Sequence, residues 1–163
     1  MAHSNDEPHI RPLGPGDAGW VLMRHAELYR DEAGFDATFE IVVADILARV
    51  LAAPDTHRGW VATGRSGRLG SIFCSREAPD TARLRLFLVE PEARGTGLAR
   101  RLLTTCTDHA RAIGCARLIL DTHASHVAAC RLYERAGFAC TRSDPVRNFG
   151  QDLVEQSWSL ALI

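Results

Sequence analysis

The segment that decides the fold reads Phe87-Leu88-Val89-Glu90-Pro91-Glu92-Ala93-Arg94-Gly95-Thr96-Gly97-Leu98-Ala99. It joins a strand predicted for residues 83–89 to a helix predicted to begin a few residues after Pro91. The first amides of a helix lack internal hydrogen-bond partners and carry partial positive charge. Gly95 and Gly97 have no Cβ atoms to hold a bulky anion away from those amides. The segment is therefore interpreted as a pyrophosphate-binding loop, with a glycine turn that binds nothing as the alternative for this segment alone.

Two other phosphate-binding motifs do not fit these residues. The loop is too short for a Walker A motif, and no Lys-Ser or Lys-Thr pair follows it. The third glycine of the dinucleotide-binding fingerprint is also missing. The spacing therefore argues against both motifs.

The composition is that of one globular domain. The chain has 163 residues, of which 46% are hydrophobic and 24% are charged, and its net charge is -1. No overall field favours nucleic acid or an anionic membrane, so neither is expected as a partner. Residues 1–8 lack the order of a signal peptide and are expected to form a disordered lead to a folded domain at 9–163. Five cysteines without a C-x-x-C pair predict buried thiols and a cytoplasmic location.

Hydrophobic periodicity and turn residues predict one α/β domain, in which a mixed central sheet of about seven strands is flanked by four helices. The order is strand, two helices, three strands, helix, strand, helix and two strands. Asp17 is expected to cap the first helix, Gly34 to end it, and Asp36 to cap the second. The buried stripe predicted for the second helix consists of Phe39, Val42, Val43, Ile46, Leu47 and Val50.

Two separated motifs resemble the signature of GNAT acyltransferases. The residues from Arg94 to Ala99 are similar to the family's R/Q-x-x-G-x-G/A pattern, and Ala129 to Phe138 resemble its A-x-x-L-Y-E-x-x-G-F element. They lie at the family's usual separation with a predicted strand between them, which is far more specific than a lone glycine turn. The likeness spans roughly residues 10–160. It extends to the acetyltransferase domain of MarR-fused GNAT proteins through Gly19-Trp20, Arg24-His25, Leu28-Tyr29, Gly34-Phe35-Asp36, Phe39-Glu40, Asn148-Phe149-Gly150 and Gln156-Ser157-Trp158.

The resemblance implies an enzyme that moves an acetyl group from acetyl-CoA to a primary amine of a small molecule, such as an amino acid, by direct attack on the thioester. Two alternatives stay open: a domain that binds acetyl-CoA without catalysis, and an enzyme that acetylates a protein lysine or N-terminus. No metal is expected, because His123-x-x-His126 has no third ligand at a matching spacing. A homodimer is compatible with the sequence.

The resemblance also implies which residues contact acetyl-CoA. The loop amides would hold the pyrophosphate, and the backbone of the preceding strand would pair with the pantetheine arm. His123 and His126 stand where relatives carry asparagine, and an imidazole can donate the same hydrogen bond. The expected cofactor-binding residues are Leu88, Val89, Arg94, Gly95, Thr96, Gly97, Leu98, Ala99, His123 and His126.

Tyr133 is the candidate general acid, since the family places a tyrosine near the sulfur. A thiol titrates at a pKa of about 8.5, so a proton donor for the leaving thiolate is useful at neutral pH. The alternative is that the phenol only packs beneath the pantetheine arm. No general base is assigned. Glu90 lies at a strand end where a turn role is equally good, and a water relay from Glu27, Glu32 or Glu40 is a further alternative.

The acceptor pocket is predicted from the first helix and from the strand at 83–89. In the family the first two helices wall this pocket, and His25 and Tyr29 form an adjacent i, i+4 pair on the first of them. Strand alternation would place Arg85 on one face with Phe87 and Val89, where its cation would bind an acceptor carboxylate. The predicted substrate-binding residues are therefore His25, Tyr29 and Arg85. The alternative for Arg85 is an ion pair with a structural carboxylate.

Overall fold

A computed structural model describes residues 6–163, so most of the predicted lead at 1–8 lies outside the described residues. The described part contains seven strands and four α-helices, as expected from the sequence. The strands are β1 (His9–Pro12), β2 (His57–Gly64), β3 (Gly67–Ala78), β4 (Thr81–Val89), β5 (Arg117–His123), β6 (Ala139–Asn148) and β7 (Gln151–Ala161). The helices are α1 (Asp17–Ala33), α2 (Ala37–Ala52), α3 (Leu98–Ala112) and α4 (Val127–Arg135).

The seven strands form one mixed sheet in the order β1-β2-β3-β4-β5-β7-β6. Strands β4 and β5 pair in parallel, and the other neighbouring strands pair antiparallel. Helices α1 and α2 pack on one face, where Val21, Val43 and Leu47 surround Phe73. Helices α3 and α4 cover the opposite face above a second buried cluster. The predicted α/β fold is thereby confirmed.

Local signals set the boundary between α1 and α2. Gly34 ends α1 with a left-handed φ of 70°, a backbone conformation that glycine adopts without steric cost. Asp36 caps α2 by accepting a hydrogen bond from the Thr38 amide at 3.0 Å. One residue of the predicted α2 stripe is misplaced, because Val42 is 43% exposed.

Strand β4 does not keep the alternation predicted for it. Ser71 pairs with Leu88 and Phe73 pairs with Arg85, so a single β3 residue faces both Leu86 and Phe87. Leu86 has a positive φ of 45°, and its carbonyl accepts a hydrogen bond from the Ser71 hydroxyl at 2.9 Å. Because this β-bulge adds one residue to β4, each side chain after it lies on the face of the sheet opposite to the one predicted by strict alternation.

The bulge corrects the predicted strand faces. Phe87 packs in the cluster beneath α3, on the face that also buries Leu84. Leu86 packs instead against the α1 and α2 cluster. The predicted grouping of Arg85 with Phe87 and Val89 is therefore wrong, because one extra residue shifts the register of faces beyond it.

Strands β4 and β5 separate soon after they begin to pair. Their register covers Thr81 with Arg117, Ala82 with Leu118, and Arg83 with Ile119, and extends no further. Beyond these three pairs the two strands diverge, and the edge of β4 that faces β5 has no strand partner. A gap therefore opens in the sheet between the carboxyl ends of two parallel strands.

The cysteines follow the predicted burial only in part. Cys74, Cys106 and Cys115 are buried, whereas Cys130 is half-buried and Cys140 is exposed, and all five are free thiols. The expectation of burial is therefore wrong for Cys140. Within residues 6–163, the helices are too short or too polar to cross a membrane.

Asp17 anchors the start of α1, although not as the predicted cap. Gly16 occupies the cap position, and the Asp17 carboxylate is buried instead. It accepts hydrogen bonds from Arg11 at 2.6 Å, from Arg68 at 2.7 Å and from the Gly14 amide at 2.7 Å. The hydrogen bonds from Arg11 hold the pKa of this carboxyl well below its usual range.

We expect Asp17→Asn to lower the free energy of unfolding by about 2 kcal/mol at pH 7, because it leaves two guanidinium groups facing a neutral amide. A lowered carboxyl pKa stabilises the fold above the unfolded pKa of about 4, and this contribution is lost as the pH falls. Urea unfolding at pH 7 and pH 3 should therefore show a smaller pH dependence in the variant. Asp45→Asn, at an exposed i, i+4 pair with Arg49, is the matched control and should change stability by less than about 0.5 kcal/mol. Equal stability of Asp17→Asn and wild type would contradict the assignment.

Candidate active site

A long cleft of about 1240 Å³ runs between α3 and α4 and reaches the gap between β4 and β5. It is lined by Phe87, Leu88 and Val89 of β4 and by α1 residues that include Tyr29. Residues of α3 and α4 complete its lining. The cleft therefore connects the start of α3 with the point where the sheet opens.

The predicted pyrophosphate loop forms the entrance to α3. Gly95 and Gly97 have φ angles of 75° and 86°, and a Cβ atom at either position would meet no other atom within 4 Å. The first backbone hydrogen bond of the helix runs from the Arg101 amide to the Gly97 carbonyl at 3.1 Å. The amides that precede Arg101 thus have no helical partner, and the first turn of α3 contains no acidic residue. Such an end attracts an anion.

The loop residues contribute differently to the cleft. Arg94, Gly95, Gly97 and Ala99 line it. Leu98 is 1% exposed and packs into the core, so only its amide is available to a ligand. Thr96 is outside the lining, and its hydroxyl donates a hydrogen bond to the Ala93 carbonyl at 2.6 Å.

An ion pair crosses the cleft. The Arg94 guanidinium donates to the Glu32 carboxylate of α1 at 2.8 Å, and it also reaches the Val89 carbonyl at 3.3 Å. Both ion-pair partners line the cleft and are about half exposed. Arg94 therefore lies beside the glycine loop with its charge already directed at the cleft.

Tyr133 of α4 lies against the same space. Its ring is 4% exposed and packs near Phe138 and Trp158, with ring centroids 5.6 Å and 6.4 Å away. It lines the cleft, and its hydroxyl has no hydrogen-bond partner within residues 6–163. Burial, with a smaller contribution from Tyr29, raises the pKa of this phenol well above its usual range. The group therefore keeps its proton at neutral pH.

Six rings from three stretches of the chain, residues 29–39, 123–126 and 149, meet beside the cleft. The ring of Tyr29 packs at a tilt against that of Phe39, with centroids 4.6 Å apart, and meets His126 edge-on at 5.1 Å. Phe35 lies 4.9 Å from Phe149, measured between ring centroids. We call this group the aromatic cluster, and its members are Tyr29, Phe35, Phe39, His123, His126 and Phe149.

The two histidines predicted to contact the cofactor occupy different positions. His126 lines the cleft, whereas His123 is outside the lining and packs against Phe35 at 5.7 Å. The two imidazoles meet edge-on at 5.6 Å. Burial lowers the pKa of both, and for His126 the neighbouring His123 lowers it further while Glu32 opposes the shift. Both rings are therefore neutral at pH 7.

The structure brings two of the three predicted acceptor-binding residues together. His25 and Tyr29 stack with ring centroids 6.0 Å apart, but only Tyr29 lines the cleft. His25 is buried behind it, where Nδ1 donates to the Val21 carbonyl at 2.8 Å and Nε2 has no partner among residues 6–163. Burial lowers the pKa of His25 to about 4 and raises that of Tyr29 to about 12.

Arg85 lies apart from these two residues, contrary to expectation. Its guanidinium is 3.8 Å from the Glu77 carboxylate, near the first half of β4, and it does not line the cleft. The β-bulge between Arg85 and Phe87 accounts for the difference, because it turns Arg85 away from the residues predicted to share its face. The ion pair with a structural carboxylate is the alternative that the structure supports.

Glu90 is committed to a structural ion pair. It is 5% exposed, and its two oxygens accept hydrogen bonds from the Arg24 guanidinium at 2.6 Å and 2.7 Å. The same guanidinium contacts Glu27 at 2.9 Å. This bidentate geometry fixes α1 against the end of β4, and Glu90 is not among the residues that line the cleft.

The connection between α1 and α2 touches the turn between β6 and β7. The Asp36 amide donates to the Phe149 carbonyl at 3.0 Å, and the Gln151 side chain donates to the Gly34 carbonyl at 2.9 Å. Phe149 and Gly150 form this turn with φ angles of 56° and 74°, as a tight two-residue hairpin requires. We call this contact the arch. The two segments are more than 110 residues apart in sequence, and nothing local in either of them indicates that they meet.

No group of three potential metal ligands occurs in the described part of the chain. The chemistry that the described residues offer is therefore a set of unpaired amides, a protonated phenol and a neutral imidazole around one cleft.

The fold is shared with solved structures of acetyltransferases. The yncA protein of Salmonella typhimurium, solved with its cofactor acetyl-CoA, is 21% identical with a TM-score of 0.80, over 96% of this chain and 95% of that one. Spermidine N-acetyltransferase of Vibrio cholerae, in complex with CoA and spermine, is 18% identical with a TM-score of 0.71, over 97% of each chain. Ribosomal-protein-alanine N-acetyltransferase of Brucella melitensis is 19% identical with a TM-score of 0.78, over 94% of this chain and 99% of that one.

No curated protein matches the sequence. The family description that matches is "Acetyltransferase (GNAT) family", and it covers residues 20–138, which is most of the chain. Both sequence motifs, the glycine loop and the Tyr133 element, fall within that range. The chain therefore belongs to the GNAT acetyltransferase family.

Proposed function

We propose that this protein transfers the acetyl group of acetyl-CoA to a primary amine of a small molecule, an amino acid being one candidate. The observation that carries the proposal is the cleft, which joins an anion-binding helix start to a protonated Tyr133 at the gap between β4 and β5. One cleft thus contains residues that could bind the diphosphate of acetyl-CoA and a residue that could protonate its thiolate.

The described residues fit acetyl-CoA as co-substrate. The two positive-φ glycines leave open space at the start of α3, and the unpaired amides there match a diphosphate. Arg94 adds a cation, and the unpaired edge of β4 near Leu88 and Val89 offers backbone groups to an amide-containing arm. Acetyl-CoA would supply the activated acyl group, which an amine can attack without a metal.

Tyr133 is proposed to protonate the leaving sulfur. A thiolate with a pKa of about 8.5 leaves more readily when a donor stands beside it. The raised pKa of Tyr133 ensures that the donor carries its proton at neutral pH. Its ring packs near Phe138 and Trp158 and lines the cleft.

The arch favours a small acceptor over a protein. An acceptor amine has to approach the gap in the sheet from the side of the aromatic cluster, and there the arch joins the two segments that flank the approach. A folded protein would need these segments to stand apart. A compact amine can pass beneath them.

The test is a panel of amines incubated with acetyl-CoA and read by mass spectrometry. We expect at least one small primary amine to gain an acetyl group at a rate proportional to enzyme concentration. Amino acids, polyamines and lysine-containing peptides form the three arms of the panel. Acetylation of peptides alone would favour a protein acceptor, and binding of acetyl-CoA without any transfer would favour a non-catalytic domain.

We expect Gly97→Glu to weaken acetyl-CoA binding at least 100-fold, because it places a carboxylate in the anion site. The measurement is the rise in melting temperature caused by acetyl-CoA, which should disappear in the variant. Gly114→Glu is the matched control, since Gly114 has a φ of 83° and equally open surroundings but does not line the cleft. Its response to acetyl-CoA should equal that of wild type. Unchanged affinity in a folded Gly97→Glu protein would contradict the assignment of the loop.

Tyr133→Phe removes only the hydroxyl and keeps the ring packing. If Tyr133 donates the proton, kcat should fall at least tenfold while the Kd for acetyl-CoA stays within about twofold. Steady-state kinetics at saturating acetyl-CoA, together with calorimetric binding, separate the two quantities. A wild-type kcat would leave Tyr133 with a packing role only.

A further inference from the structure

Two residues belong to both the cleft and the aromatic cluster among residues 6–163. They are Tyr29 and His126, whose rings meet edge-on at 5.1 Å. The cleft holds the thioester in the proposed function, and the aromatic cluster lies on the acceptor side of the gap. In the proposed reaction, a residue that contacts both the cleft and the aromatic cluster lies close to the point where the amine nitrogen attacks the thioester carbon.

Of these two groups, His126 is the one able to accept a proton. Burial raises the pKa of Tyr29 to about 12, so its phenol stays protonated at pH 7. His126 is half-buried at the start of α4, and in the described part of the chain its ring nitrogens have one hydrogen-bond partner, the Thr122 hydroxyl, 3.5 Å from Nδ1. A neutral imidazole always has one nitrogen with a free lone pair.

The carboxylates in the neighbourhood are engaged elsewhere. Glu90 and Glu27 are both held by the Arg24 guanidinium. Glu32 is paired with Arg94 across the cleft. A direct proton acceptor at the junction of the two spaces is therefore an imidazole and not a carboxylate.

The groups that face His126 come from three elements. Tyr29 and Glu32 approach from α1, and Thr122 and His123 approach from β5. Tyr133 follows on α4 itself. Burial and His123 lower the pKa of His126, while Glu32 opposes them and would stabilise an imidazolium that forms transiently.

We propose that His126 is a catalytic residue that accepts the proton of the acceptor's ammonium group, an inference that rests on the proposed N-acetyltransferase function. An imidazole nitrogen takes one proton from the ammonium, and the resulting amine forms a bond to the thioester carbon. The carbon–sulfur bond then breaks, and the sulfur takes the proton of the Tyr133 hydroxyl. Tyr133 recovers a proton from the acylated nitrogen, and His126 releases its proton to solvent. Atoms and charge balance without a further reactant.

The pH dependence of kcat/KM tests this role with the best acceptor of the amine panel. The wild type should lose activity as the pH falls below the ordinary histidine pKa of about 6.5, because the protonated ring cannot accept. His126→Gln should be about 100-fold slower at pH 7, since it must wait for the rare free amine. The ratio of the wild-type kcat/KM to that of His126→Gln should fall by up to tenfold for each pH unit as the pH rises toward the amine pKa of about 10. A merely structural role would give a deficit that is the same at every pH, and this result would overturn the proposal.

His57→Gln is the matched control, because His57 lies on β2, hydrogen-bonded to Ser75 and outside the cleft. Its pH profile should follow that of wild type. His126→Asn provides a second variant if the glutamine protein is unstable, and the Kd for acetyl-CoA should stay within about threefold in both. A wild type that acetylates no amine would instead count against the proposed function itself.

A second measurement does not depend on turnover. Nitrogen-15 chemical shifts of the histidine rings, assigned with His126→Gln, report whether the His126 ring is neutral at pH 7. We expect a neutral imidazole whose protonation begins below pH 6.5. An imidazolium at pH 7 would overturn the proposal, even if the variant were slow.

Discussion

The active site depends on the point where β4 leaves β5. Neighbouring strands of a sheet lie about 4.8 Å apart, which leaves no room for a ligand between them. Parallel pairing here stops at Arg83 and Ile119, and the bulge at Leu86 and Phe87 turns the rest of β4 aside. The part of β4 beyond the bulge lines the cleft through Phe87, Leu88 and Val89. Residues at the start of α3 and at the start of α4 line the same cleft.

The charges around the gap are neutralised in pairs that also hold the elements in place. Arg24 fixes α1 to the end of β4 through Glu90, and Arg94 links the glycine loop to Glu32. With these carboxylates occupied, the groups that remain at the centre are the phenols and the imidazole of His126. Glu90, Glu27 and Glu32, three of the glutamates that the sequence left open as general bases, thus lie in ion pairs with arginine.

The aromatic cluster is built from segments that are remote in sequence. The arch joins the α1–α2 connection to the β6–β7 turn, more than 110 residues later, through one backbone hydrogen bond and one from the Gln151 side chain. Phe149 reaches the aromatic cluster only because its turn is held in this position.

The sequence by itself determined the features that arise from neighbouring residues. Helix ends at Gly34 and Asp36, the order of elements, and the glycine turn at the start of α3 follow from local backbone chemistry and periodicity, and all of them agree with the structure. Only the tertiary structure decided which side chains meet. Strict alternation placed Arg85 among the acceptor residues, but the bulge that moves it depends on how β4 pairs with β3, and pairing between strands leaves no mark in one strand's own sequence. Likewise, His126 could be matched to a motif position, yet its contact with both the cleft and Tyr29 exists because α1 and α4, a hundred residues apart, pack at the same gap.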